Sequence, residues 1–192
     1  MAANIQAAGF KLVVHDVRRT AADSLVAGGA LLAESPGAVA RATEVVCTSL
    51  PGPAEVKAVF DGAEGLAATM SRGSLLIDFT TNSPSLVREM QDRLQPLGAS
   101  MLDAPVSGGV TGAQSRRLTV QVGGNAPDLA RAKPVLDAVA DTVIHVGGIG
   151  AGKICKVLHN CAVFCADLAM VECLTAGIKA GVAPGILIEV FQ

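Results

Sequence analysis

The chain has 192 residues, of which 51% are hydrophobic and 17% charged, with 15 Lys plus Arg against 17 Asp plus Glu and a formal net charge of -2. Mean hydropathy is +0.48. This length and apolar content suit one large domain, or one and a half small ones, and exclude a disordered chain. With no basic field, no polybasic run, no Trp and no Tyr, the composition speaks against nucleic-acid and anionic-lipid partners.

In chain order, Met1–Ala8 reads as the tail of a helix closed by Gly9. Lys11–His15 reads as a strand that ends at Asp16. A helical pattern covers Thr20–Ala27, a strand covers Glu44–Leu50, and a helix follows over Pro53–Phe60. Ser74–Asp78 is the next strand, and Ser83 caps a helix with Pro84 at its first position, running to Leu97. Met101–Asp103 begins a fourth strand; Leu118–Val122 and Val143–Val146 are two more, with a helix over Pro127–Ala140 between them. Strands alternating with helices predict an α/β fold with a parallel or mostly parallel sheet. The turn cluster Gly147–Gly152 puts a domain boundary near Gly148, giving parts 1–148 and 149–192. From about Ala151 to about Ala180 the chain predicts one helix about 45 Å long. Gly181–Pro184 ends it, and a short helix runs on toward Gln192.

The start, Met1–Gln6, lacks the cationic and apolar pattern of a secretory leader. The apolar stretch Val157–Val171 is interrupted by His159, Asn160 and Asp167, which predicts no membrane-spanning helix. Four of the five cysteines, Cys155, Cys161, Cys165 and Cys173, fall in the long helix. They predict reduced, buried thiols and a cytoplasmic location. The pairs Cys155/His159 and Cys161/Cys165 point about 120° apart around a helix, so no metal site is expected.

The chemistry-bearing candidates sit at the strand exits. A carboxylate such as Asp16 after a first strand suits a ribose 2′-hydroxyl, and equally a solvated turn. Arg18 and Arg19 beside it suit a 2′-phosphate, or water. Leu50-Pro51 and Asp78-Phe-Thr-Thr81 are similar exits, each also readable as a plain turn or cap. In Asp103-Ala-Pro-Val-Ser107-Gly108-Gly109 a hydroxyl precedes two glycines that expose backbone donors to an anion. The surroundings of Ser107 are not those of a hydrolase nucleophile elbow. Gly147–Lys153 nearly matches a nucleotide phosphate loop, but Ile154 stands where Ser or Thr must hold magnesium. Lys156 and Asn160 share one helix face. A helix N-terminus lowers a lysine pKa, fitting Lys156 for proton transfer; a surface lysine with a polar neighbour is the plain alternative.

Taken in order, these pieces resemble the β-hydroxyacid dehydrogenases, the 3-hydroxyisobutyrate dehydrogenase-like family related to 6-phosphogluconate dehydrogenase. The matching residues are Asp16, Leu50-Pro51, Asp78–Thr81, Asp103–Gly109, and Gly150-Ala-Gly-Lys-Ile-Cys-Lys156 with Asn160. The resemblance implies a doubly wound, Rossmann-like sheet followed by the start of an all-helical domain. It implies Lys156 as the catalytic acid/base, with Ser107, Gly108, Gly109 and Asn160 binding a small carboxylate substrate. Asp16, Leu50, Pro51, Glu55 and Thr81 would line NAD, with NADP as the alternative cofactor.

Against the family pattern the chain is expected to be truncated at both ends. Its sheet would lack the first strand and the glycine-rich pyrophosphate loop, and no Gly-x-Gly-x-x-Gly occurs anywhere in it. The complete form is expected to be a homo-oligomer, in the cytoplasm or the mitochondrial matrix. The chain by itself is expected to bind NAD weakly and to self-associate. A non-catalytic remnant or interaction module is the alternative reading.

Overall fold

The computed structural model describes residues 1–191; the predicted helical end at Gln192 lies outside the described residues. In chain order the elements are α1 (Ala2–Ala7), β1 (Val13–Val14), α2 (Asp23–Ala27), β2 (Leu31–Leu32), α3 (Pro36–Ala42), β3 (Val45–Thr48), α4 (Pro53–Asp61), α5 (Leu66–Thr69) and β4 (Leu75–Asp78). There follow α6 (Pro84–Leu94), β5 (Ser100–Asp103), β6 (Val106–Ser107), α7 (Gly109–Ser115), β7 (Leu118–Gly123), α8 (Ala126–Asp137), β8 (Ala140–Gly147), α9 (Ala151–Lys179) and α10 (Pro184–Phe191). The chain divides into two compact units, Met1–Lys156 and a second that begins at Val157.

Local chemistry starts the helices. Ser35 accepts the Ala38 N–H at 3.0 Å ahead of Pro36, and Ser83 accepts the Ser85 N–H at 3.2 Å ahead of Pro84. Asn125 accepts the Asp128 N–H at 2.8 Å, so Asn125 and not Pro127 begins α8. The predicted helix to Ala140 is too long. Val139 N–H turns back to Leu136 O, and Ala140 already pairs with Leu118 in a parallel ladder. Ala138, Val139 and Ala140 are apolar enough for either state, and the ladder decides. The pairs β2/α3 and β6/α7 add elements not expected from the sequence, although Ser35-Pro36 carries the same start signal as Ser83-Pro84.

In the first unit β3, β4 and β5 run parallel, with Leu75 to Asp78 in register with Ser100 to Asp103. β7 is parallel to β8 and antiparallel to β5 and β6 through short ladders, so the sheet is mostly parallel with an antiparallel step at β7. The short pair β1–β2 forms a separate parallel sheet, with no ladder joining it to β3. β4 is covered on both faces. Leu75 and Ile77 join Leu102, Val120, Val122 and Leu136 in one core, while Leu76 joins Val46, Val56, Phe60, Met90 and Met101 in the other. Two cores on opposite faces of one sheet are the signature of double winding.

The cysteines depart from expectation. All five are free thiols, but Cys47, Cys161, Cys165 and Cys173 are exposed and Cys155 is half-buried. Apolar side chains spread all round α9 and no one face gathers them, so nothing marks out a buried cysteine stripe. Leu158, Phe164 and Leu168 on this helix are more than 60% exposed. By length and composition alone α9 is apolar enough to cross a membrane, with mean hydropathy 1.8 over an 18-residue stretch. His159, Asn160 and Asp167 do not break it as expected. A helix apolar on all sides is equally one made for burial in a larger helical body.

Candidate active site

The site is built where the strands of the first unit end and α9 begins. β4 and β5 end in register on two aspartates, Asp78 opposite Asp103, both fully buried. Two carboxylates side by side in an interior need donors and a counter-charge. Asp103 takes the backbone N–H groups of Gly150 at 2.7 Å and Lys153 at 2.8 Å, so it caps α9 from across the fold. Its carboxylate fits because two neighbours lack a Cβ. One on Gly123 would lie 2.2 Å from Asp103 Oδ1, and one on Gly152 would lie 2.6 Å from the Asp103 and Gln121 carbonyls. Burial pushes the Asp103 carboxyl above its ordinary range, against the two N–H donors that hold it down.

Lys153 supplies the charge. Its side chain is fully buried, with Nζ 3.0 Å from Asp78 Oδ2, 2.8 Å from Asp78 O and 2.6 Å from Thr80 O. The same aspartate takes Thr48 Oγ1, the Thr80 N–H and Asn82 Nδ2. Burial lowers the Lys153 pKa, partly offset by Asp78. This network ties the β3 and β4 exits to the first turn of α9. Sequence reading passed over Lys153 as part of a near-phosphate loop. Two aspartates at the ends of adjacent strands were the signal that a buried cation had to follow.

One turn further on, Lys156 is 8% exposed and its Nζ donates to Ser107 Oγ at 2.8 Å. Desolvation holds its ammonium below the usual lysine range. The direction matches the expectation from the helix N-terminus, but burial is the cause. Ser107 is half-buried on β6, and Gly108 (φ 127) and Gly109 (φ 61) follow it, both exposed. A Cβ at Gly109 would meet nothing within 4 Å, so the loop has an open side. The chain thus brings Lys156, Ser107 and the two glycines together. Gln121, which the sequence did not single out, lies beside Ser107 with Nε2 at 3.5 Å from Oγ. Asn160 lies in the same helix α9 but in the second unit.

The expected dinucleotide residues sit at carboxyl ends of parallel strands, where ligands of open α/β sheets bind. Asp16 follows β1, is exposed, and accepts the Arg18 N–H at 2.8 Å, the turn that the plain reading describes. Arg19 is engaged with Glu34 at 2.7 Å. The Leu50 N–H donates to Thr80 Oγ1 at 3.0 Å, which fixes the Leu50-Pro51 turn against the β4 exit. Pro51, Glu55 and Thr81 are exposed. α4 has Gly52 at its N-cap, with no side-chain cap, and Pro53 as its first residue. No group of three or more His, Cys, Asp or Glu placed to hold a metal occurs among the described residues.

Residues 1–147 match the NAD binding domain of 6-phosphogluconate dehydrogenase. The whole chain is similar, at 37% identity, to the 3-hydroxyisobutyrate dehydrogenase of Pseudomonas aeruginosa and, at 34%, to the NAD-dependent L-serine dehydrogenase of the same organism. It spans 64% of the length of each. Among solved structures it is similar to Mycobacterium tuberculosis 3-hydroxyisobutyrate dehydrogenase with L-serine. The TM-score is 0.89 at 35% identity, covering 98% of this chain and 64% of that one.

Proposed function

Because the chain belongs to the family of the NAD binding domain of 6-phosphogluconate dehydrogenase, we propose that it serves an NAD-dependent oxidoreductase acting on a small 3-hydroxy acid. Hydride passes between the substrate carbinol carbon and nicotinamide, with the semialdehyde as substrate in reverse. The observation that carries this reading is Lys156 Nζ at 2.8 Å from Ser107 Oγ, nearly buried and with its ammonium destabilised. NAD, when bound, supplies the hydride acceptor. Asp16, Leu50, Pro51, Glu55 and Thr81 would hold it.

The chain's own residues supply the rest. Ser107 with the backbone of Gly108 and Gly109 binds the substrate carboxylate. Neutral Lys156 takes the hydroxyl proton as the carbinol carbon loses hydride, and its ammonium returns that proton to the carbonyl oxygen in the reverse direction. The L-serine relatives are consistent with a substrate class of 3-hydroxy carboxylates. NAD is preferred over NADP, since Asp16 repels a 2′-phosphate and Arg19 is engaged by Glu34. With no Gly-x-Gly-x-x-Gly turn in the chain, its NAD affinity is expected to be weak. The exposed apolar side chains of α9 suit self-association.

The test is NADH formation by the purified chain at high NAD, with 3-hydroxyisobutyrate and with L-serine, repeated with NADP. Turnover that needs a 3-hydroxy acid and is faster with NAD is the expected result. No transfer to either dinucleotide overturns the reaction, and a strong NADP preference overturns the cofactor choice. Gel filtration of the same preparation at several concentrations reads self-association.

A further inference from the structure

Gln121 is out of character for its place. It lies in β7 between Val120 and Val122, both fully buried, and is itself 9% exposed. Its backbone is committed to the fold, the N–H donating to Pro105 O at 3.1 Å. Its side chain is not fully paired. Nε2 approaches Ser107 Oγ at 3.5 Å, while Oε1 is buried with no partner, a state shared among the described residues only by Asn82 Oδ1. A buried orphan acceptor costs stability, and an apolar side chain of the same size would remove that cost. Such a group calls for an explanation other than packing.

Ser107 provides it. A serine hydroxyl has one hydrogen and two lone pairs. Lys156 Nζ donates to one lone pair at 2.8 Å, and Gln121 Nε2 is aimed at the same oxygen. With donors on both lone pairs, the hydroxyl hydrogen is left for a third partner, neither Lys156 nor Gln121. We propose that Gln121 is a positioning residue that fixes the Ser107 hydroxyl as a hydrogen-bond donor to a small carboxylate. This rests on the substrate class proposed above. The reversed amide would draw the hydroxyl hydrogen onto Oε1 and leave Ser107 without one for the ligand.

The experiment titrates 3-hydroxyisobutyrate, with and without NAD, into nitrogen-15-labelled wild-type, Gln121→Met and Gln121→Glu protein, and records melting temperatures. The wild type binds the probe. Gln121→Met binds it roughly five- to ten-fold more weakly, the loss of one hydrogen bond's orientation, with a melting temperature equal or higher because the orphan acceptor is gone. Gln121→Glu binds most weakly, since a carboxylate there takes the Ser107 hydrogen and repels the ligand. The Gln121 side-chain amide resonances shift in Ser107→Ala. Binding by Gln121→Met equal to wild type, an unmoved amide resonance in Ser107→Ala, or a wild type that ignores the probe each overturns the inference. Hydride transfer is scored separately: probe binding that follows the expected order without any turnover supports the role of Gln121 and overturns the proposed reaction.

Discussion

Lys153 and Lys156 stand three residues apart on the first turns of one helix, yet they occupy opposite kinds of surroundings. Around Lys153 every donor of the ammonium is spoken for, by the Asp78 carboxylate and the carbonyls of Asp78 and Thr80. Around Lys156 the ammonium has one acceptor among the described residues, Ser107 Oγ, beside an open loop. Both are held below the ordinary lysine range by burial. The difference teaches that a destabilised charge is not by itself a catalytic group. The closed cation is framework, and the one beside an opening keeps donors for a further acceptor.

The comparison breaks most easily at Lys156. Lys156→Ala is expected to lower kcat by about 10²- to 10⁴-fold, the range for loss of a general acid or base, while the melting temperature holds and NAD binding is unchanged. Steady-state kinetics with calorimetric NAD titration checks this; kcat within a few-fold of wild type would assign the proton to another group.

Lys153→Met should do the reverse. Removing one partner of a buried pair costs about 3–5 kcal/mol, read by denaturant melts, and Lys153→Met combined with Asp78→Asn should recover much of it. A smaller loss is expected from Gly152→Ala. On an exposed helix that change stabilises by roughly 0.5–1 kcal/mol. Here the added carbon would sit 2.6 Å from two backbone carbonyls, so a cost of about 1–3 kcal/mol is expected. Stabilisation instead would show that Asp103 does not fix the start of α9.

The smallest effect is in pH. Lys156 has a folded pKa below its ordinary 10.5, so between the two values the unfolded chain binds more protons than the folded one. Stability therefore rises with pH across that window, and the penalty is fully present below it. Lys156→Met should melt slightly higher than wild type near neutrality, with the gap closing as pH approaches 10.5. The oxidation rate should climb over the same range, as neutral Lys156 accumulates. A gap that widens with pH contradicts the burial of this group.

What could be read in the sequence follows the same divide. Strand exits, helix caps and the Ser107–Gly109 loop announce themselves locally, and the order of the motifs aligned Lys156 with a catalytic lysine. Lys153 was hidden because charge reads as surface in a one-dimensional pattern, and its burial depends on Asp78, 75 residues away. Gln121 was hidden by the strand around it. The antiparallel placement of β7 and the short ladder β1–β2 depend on pairings between distant segments, which local apolar runs do not encode. Apolar neighbours ordinarily mean a core, so the sequence predicts buried cysteines in α9, and that inference needs a packing partner.

The two sheets of the first unit also differ in how they open. β4 is buried along its whole length and paired on both sides, whereas the β1–β2 ladder joins only Val13 and Val14 to Leu31 and Leu32, with Leu31 exposed. In deuterated solvent the amides of Leu76 and Ile77 should exchange only when the whole unit unfolds, and those of the small sheet through local fraying. The spread between those protection levels would measure how independently the segment carrying Asp16 moves from the framework that holds Lys156.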